Sequence, residues 1–509
     1  MNIPRASIPQ WVPIDPGHKP IGRRGNLGAL PPALLMLLGL LIASGQPAIA
    51  AERSEDAGFD TESFAAVAEQ LRQDTGAPGM AVAVLEGGQT LHIRGYGIAG
   101  PDGQLVTART AFQIGSITKS MVAVVILQLA AEGKLGLDDP VVAHLPTFRT
   151  AHRAKSDRIT IDHLLTHHSG LTTLHGNSIN TTGSGLTGPA AAVASLASVQ
   201  LFADPGTTFQ YSNANYVLLS HLIELLDGQP FEQALKTRLF DRLGMTSSFV
   251  HVAPSADIAV ATGYRLWFGV PRPWQPKAEA SADRSMIGAG GVWASIEDMA
   301  RYLEAVRSRD PRVIPDDADR LFAIKFFYEQ WGYAYGWYAS SGGSTTVFEH
   351  SGFTPGFLTL ATFLPEDGKG VVVLTNLSGL GQGDLPRAVT HAAFGWEPVA
   401  AAPQLGARLA IWSAAAAPLG LLLALYRTAE RLFRRHQPMR AWVRVVNALG
   451  AAALVAGIYA IYIGFQSLTA VSFPAGFAFF PDLTATTVAA LSLMLILAAG
   501  RLALAIRGR

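Results

Sequence analysis

The sequence predicts an α/β domain with a helical domain inserted into it, followed by a three-helix transmembrane segment. Three observations carry that expectation. β-type runs stand at both ends of the body, helical pattern fills the stretch between them, and three long apolar stretches close the chain.

In order, residues 79–86 and 91–97 are short β-type runs joined through Gly87-Gly88, a hairpin signal. A long apolar helix reads from about Ser116 to Glu132 and stops at Gly133. From there to about residue 280 the pattern is mostly helical with loops. Thr181–Gly188, rich in Gly and Thr, reads as an exposed loop. Tyr264–Trp274 sets aromatics among Gly269, Pro271 and Pro273 and reads as a surface loop over a cleft or facing a membrane. Strand-like runs return at Gly332–Ala339, Ser344–His350, Phe357–Phe363 and Gly370–Thr375. Strands at both ends with helices between imply one α/β domain over 51–400, completed by both of its termini, with a helical insert at about 135–290. A cleft between two such lobes is a usual place for a site.

The chain has 509 residues, of which 49% are apolar and only 15% charged. The net charge of +1 conceals an uneven distribution. From Leu405 to Arg509 ten arginines face Glu430 and Asp482, giving +8, and residues 1–50 carry +3, so the body between them holds −10. An acidic body argues against nucleic acid as a partner. Cysteine is absent, which excludes disulfides, thiolate metal sites and a cysteine nucleophile.

Both ends point to a membrane. Arg23 and Arg24 precede the apolar run Leu30–Ile42, and Ala48-Ile49-Ala50 follows it, as in a signal peptide over residues 1–50. After Pro403 come Leu409–Tyr426, Val445–Gln466 and Leu483–Gly500, each near the roughly 20 residues that cross a bilayer as a helix. The link between the first two holds Arg427, Arg431, Arg434, Arg435, Arg440 and Arg444. By the positive-inside rule that link and the C-terminus are cytoplasmic, and the body is periplasmic on a bacterial inner membrane.

Three short motifs carry chemistry. Ser116-Ile117-Thr118-Lys119 opens the long helix, and side chains at i and i+3 share a face. A serine hydroxyl needs a neighbour to take its proton, and a buried lysine can do so once its pKa falls. Tyr211-Ser212-Asn213 precedes the helical run Tyr216–Leu226; its tyrosine can share a proton with a lysine, and its asparagine can grip a substrate carbonyl. His350-Ser351-Gly352 ends a β-type run, where a polar edge can pair with an extended acyl donor. Gly352 permits close approach, and the Phe353 amide can add an oxyanion donor to that of Ser116.

In this order the three motifs resemble those of the class C β-lactamase/penicillin-binding-protein family of serine hydrolases, in its peptidase and esterase group. Tyr211-Ser212-Asn213 resembles the Tyr-x-Asn motif, and His350-Ser351-Gly352 the His-x-Gly variant of Lys-Thr-Gly. The segments Phe112–Ser116, Ile161–Leu171, Leu243–Thr246 and Gly290–Ser295 look similar too, so the resemblance spans about residues 60–395. It implies a β-lactamase-like antiparallel sheet flanked by helices, with an inserted all-α domain. It also implies an acyl-enzyme on Ser116, with Lys119 and Tyr211 relaying the proton. Asn213, His350, Ser351, Gly352 and Phe353 would hold a small peptide, ester or lactam substrate. No metal or organic cofactor is implied, and His163, His167 and His168 fall in a structural turn. Membrane lipid is the expected surrounding, and nothing in the sequence demands a transporter partner. Histidine in place of the third-motif lysine weakens the case for an efficient β-lactamase. The architecture resembles membrane-bound peptidases of the colibactin-maturing type, which remove an acyl-D-amino-acid cap from nonribosomal peptide precursors. The expected activities, in order, are amide hydrolysis on a D-configured or peptidoglycan-like substrate, ester hydrolysis and β-lactam hydrolysis. A penicillin-binding sensor without turnover is the alternative outside catalysis.

Overall fold

A computed structural model describes residues 59–506, apart from 180–187, 252–256, 275–283, 317, 326, 329–330, 343–344, 380–383, 400–417, 419, 431–440, 470 and 472. The expected signal segment, the loop at 181–187 and most of the first apolar stretch therefore lie outside the described residues; residues 420–430, which include the end of that stretch, are helical.

Alternating side chains explain the central sheet. Met80, Val82 and Val84 enter one apolar cluster, while Ala81, Ala83 and Leu85 enter another on the opposite face. A strand covered on both sides reads as a continuous apolar run, as this one does. In spatial order the strands are Gln89–Gly97, Gly79–Glu86, Lys369–Thr375, Phe357–Leu364, Thr345–Thr354, Tyr338–Gly342, Trp331–Tyr333 and Phe327–Tyr328. Each neighbouring pair is antiparallel. Gly79–Glu86 pairs with Lys369–Thr375, from Met80 opposite Thr375 to Glu86 opposite Lys369, so the two ends of the body close one sheet. Helices Thr61–Thr75 and Leu385–Phe394 cover one face. Helix Ile296–Arg307 and the helical lobe cover the other.

The helix Thr118–Ala131 is apolar all round because it runs through the core: Thr118 to Leu129 are all buried. In the lobe, Asn213–Asp227 packs beside it and ends at Gly228, in the left-handed conformation (φ 67°). The far ends of these two helices share a cation. Arg238 donates to both carboxylate oxygens of Glu132, at 2.6 and 3.0 Å, and from Nε to Asp227 at 2.9 Å.

Two expectations change in detail. The helical run ends before residue 249: Phe249–Val250 pairs with Val292–Ser295, and Tyr264–Trp274 is not a loop but most of a hairpin, Gly263–Trp267 with Val270–Trp274. Pro271 and Pro273 hid that strand; it is an edge strand, the place where proline is tolerated. The run Gly332–Ala339 is two strands around a turn at residues 334–337, where Gly336 has φ 76°.

After the body come Ala441–Thr469 and Pro481–Ile506, joined through a short helix, Phe473–Phe479. They pack antiparallel: Gly450 lies beside Arg501 and Gly457 beside Met494. Their most apolar windows have mean hydropathy 2.0 and 2.2, yet only 11% and 17% of those windows is buried. The helices thus face outward with apolar side chains, unlike the core helix Thr118–Ala131.

Candidate active site

The nucleophile motif sits where chain geometry is least ordinary. Gly115 has φ 56°, and residues Gly115–Ile117 form a tight 3-10 turn before the core helix begins at Thr118. This presents Ser116, partly accessible, at the helix start while Lys119 one turn on is wholly buried. Lys119 Nζ donates to Ser116 Oγ at 2.9 Å and to the carbonyl of Ala289 at 2.7 Å. Burial pushes the amine well below its ordinary pKa, because a charged ammonium loses its water there. Among the described residues no carboxylate bonds to it.

Tyr211 comes from the other lobe, just before helix Asn213–Asp227, and its hydroxyl donates to Ser116 Oγ at 2.9 Å. The Lys119 Nζ also lies 5.0 Å from the centre of the Tyr211 ring. Burial raises the Tyr211 pKa well above 10, so this phenol keeps its proton. Of the two groups on Ser116 Oγ, the amine is therefore the one suited to act as base and the phenol the one suited to donate.

The third motif closes the site from the sheet. Gly352 lies so close to the nucleophile turn that a Cβ there would meet the Ile114 carbonyl oxygen at 1.9 Å. A Cβ on Gly115 would in turn fall 2.9 Å from the Phe353 amide nitrogen. The amides of Ser116 and Phe353 thus come from adjoining segments, the arrangement an oxyanion hole requires. Ser351 is exposed and His350 is buried. The His350 Nδ1 lies 2.8 Å from the Ser351 carbonyl, which can only accept, so Nδ1 carries the proton and Nε2 accepts from the Tyr333 hydroxyl at 3.2 Å. Burial pushes the His350 pKa down to about 3. This histidine is neutral at any ordinary pH and supplies no positive charge for a carboxylate.

Asn213 donates from Nδ2 to Asn177 Oδ1 at 2.7 Å, leaving its shielded Oδ1 without a partner in the structure. His167, with φ 60°, is wholly buried; its Nδ1 accepts from the Ser212 amide at 3.2 Å, which braces the Tyr211 loop. His163 and His168 are occupied elsewhere, His163 Nδ1 by the Thr160 amide and His168 Nδ1 at the Thr166 carbonyl. Sequence reasoning missed Tyr333 and Tyr338, whose rings pack against Tyr211 and His350, Asn177, whose amide oxygen accepts from Asn213, and the Ala289 carbonyl. Only Gly290-Gly291-Val292 hinted at the last, as family-like text without a role.

A family model described as Beta-lactamase matches residues 64–394, more than half of the chain. The unguisins hydrolase ungD' of Aspergillus campestris is 29% identical over 348 residues, 64% of this chain and 63% of that protein. The chain thus spans less than two thirds of that relative's length. Penicillin-binding protein 4 of Amycolatopsis lactamdurans is 29% identical over 327 residues, 60% of this chain and 82% of that protein. Among solved structures, the octameric penicillin-binding protein homologue from Pyrococcus abyssi superposes with a TM-score of 0.57 at 25% identity, over 67% of this chain and 79% of the other.

Proposed function

Because this chain belongs to the β-lactamase family, we propose that it is a serine hydrolase forming an acyl-enzyme on Ser116. The observation that carries this reading is the double hold on one oxygen: Ser116 Oγ lies 2.9 Å from both the Lys119 amine and the Tyr211 phenol. Lys119, uncharged in its dry pocket, takes the Oγ proton as the oxygen bonds to the substrate carbonyl carbon. The carbonyl electron pair moves onto oxygen, where the Ser116 and Phe353 amides receive it. Collapse of this intermediate expels an amine or alcohol. Tyr211 gives it a proton and is refilled from the Lys119 ammonium. Water then enters along the same route in reverse and releases the acid.

The substrate we infer is an amide or ester, most readily a peptide-like one of D-configured, peptidoglycan or nonribosomal type. The neutral His350 supports this, since a third motif without charge offers little to the carboxylate of a penicillin. A relative named as a hydrolase of unguisins fits turnover, and one named for penicillin binding fits acylation of serine. The two outward-facing apolar helices support a membrane anchor; with Leu409–Tyr426 crossing as a third span, the body lies on the extracytoplasmic side and the Arg-rich link and C-terminus inside.

The test uses detergent-solubilised full chain and its Ser116→Ala variant, incubated with a fluorophosphonate and a fluorescent penicillin. Labelling by the fluorophosphonate in the wild type alone, with little or quickly released penicillin, is expected. Stable penicillin labelling would move the reading to a penicillin-binding protein without turnover. Labelling that does not depend on Ser116 would remove the assignment.

A further inference from the structure

The lip of the site rests on the segment between the two long helices. The Phe353 ring stacks on Phe479, with centroids 5.6 Å apart and planes at 27°, and on Phe480, at 5.9 Å and 22°. Phe353 follows Gly352 directly, and its amide is the one that adjoins the nucleophile turn. Two further ties hold the same segment to the body. Arg265 Nη1 donates to the carbonyls of Phe477 and Ala478 at 2.7 and 2.9 Å, and the Phe268 amide donates to Asp482 Oδ2 at 3.1 Å.

Arg265 and Phe268 belong to the body hairpin that already braces the far end of this loop. The Tyr264 amide bonds to the Asn376 carbonyl at 2.9 Å and approaches the Gly356 carbonyl at 3.3 Å. Residues 353–356 are thus held between the body hairpin and the interspan segment. The stretch is the tip of a hairpin, with Phe353 opposite Leu358 and Thr354 opposite Phe357, and the Gly356 amide donates to Ser378 Oγ at 2.6 Å; the half-buried Phe353 ring is the part that reaches the interspan segment. With its ring packed on two others, Phe353 is held to one rotamer, and the backbone that carries it is restrained from shifting.

We propose that Phe479 and Phe480 are positioning residues for the Phe353 amide, making the interspan segment a working part of the oxyanion hole. The proposal rests on the acyl-enzyme reading, in which that amide receives the developing negative charge. Loss of the two rings lets the amide drift, and a drift of about 1 Å at a reacting centre costs roughly a hundredfold in rate.

The experiment compares full-length wild type, Phe479→Ala/Phe480→Ala and Phe479→Leu/Phe480→Leu in detergent, on an activated aryl ester and its thionoester. A sulfur in place of the carbonyl oxygen accepts hydrogen bonds poorly, so the oxygen-to-sulfur rate ratio reports the oxyanion hole itself. The alanine pair is expected to lower kcat between about tenfold and a hundredfold with KM little changed, and to shrink that ratio. The leucine pair, which restores bulk, recovers much of both. Unchanged kcat and ratio in a folded alanine pair would overturn the proposal. Should the alanine pair fail to fold, Arg265→Gln, which releases the segment from the other side, must show the same kcat loss and shrunken ratio; its absence overturns the proposal equally. If wild-type turnover depends on Ser116 while these variants match it, only this inference falls. If wild-type turnover ignores Ser116, the acyl-enzyme reading falls first and takes this one with it.

Discussion

The core helix Thr118–Ala131 and the tail helices Ala441–Thr469 and Pro481–Ile506 are built from the same greasy alphabet, yet they solve opposite problems. In the body nearly every apolar side chain from Met121 to Leu129 is hidden, and the same helix hides an amine beside them. In the tail, Leu449, Val455, Tyr459 and Leu495 all stand more than half exposed. Composition alone does not separate the two; the surroundings do. A core helix excludes water so that Lys119 can shed its proton. The tail helices leave their apolar side chains uncovered.

The largest effect that bears on this contrast is at Ser116. Ser116→Ala is expected to cut turnover on the order of 10⁴-fold or more while melting stays near wild type, as the side chain is small and partly accessible. Activity surviving in that variant would break the division of labour between body and tail. Lys119→Met comes next: a flexible apolar chain fills the pocket, turnover falls on the order of a thousandfold, and calorimetry finds the fold kept. Gly352→Ala forces a Cβ into the Ile114 carbonyl, and activity is expected to drop about a hundredfold with a lower melting temperature. Leu218→Ala in the lobe core should destabilise by about 2–5 kcal/mol, whereas Leu449→Ala, 65% exposed on the tail, should stay within about 0.5 kcal/mol in detergent. Equal costs at those two leucines would erase the contrast.

The pH profile sharpens it further. The base must be neutral to act, so kcat/KM falls as acid protonates Lys119, at a pH well below the ordinary lysine value of 10.5. Tyr211 keeps its proton beyond pH 10, so no alkaline limb is expected below that point. Stopped assays across pH 4–10 check both limbs; a profile peaking sharply near neutrality would count against the assignment.

Much of this was legible from local pattern. The Gly87-Gly88 turn, the β-type run 79–86 and the helix stop at Gly133 each belong to neighbours in sequence, and the structure draws them with shifts of a residue or two. The meeting of Ser116, Lys119 and Tyr211 was legible through the resemblance, since Lys119 shares a helical face with Ser116 but nothing local brings Tyr211 near. Asn177, Tyr333 and the Ala289 carbonyl stayed hidden because each reaches the site from a different turn of the chain. The hairpin at 263–274 was hidden by its prolines. The neutrality of His350 depends on burial, which no tripeptide encodes.

The Arg238 contact lies at the opposite end of both motif helices from the chemistry. Lys119 opens one helix and Glu132 closes it; Asn213 opens the other and Asp227 closes it, roughly 20 Å away at 1.5 Å per residue. The arrangement is a pair of tongs gripped at the handle, with the proton relay between the jaws. Arg238 hydrogen bonds hold both carboxyls at about 2, below their usual values of 4.5 and 3.8. Depressed in the folded state, they add stability above those usual values and lose it as pH falls towards 2. Acid therefore silences the protein twice. Protonation at the jaws stops the relay, and protonation at the handle removes part of what holds the two helices together.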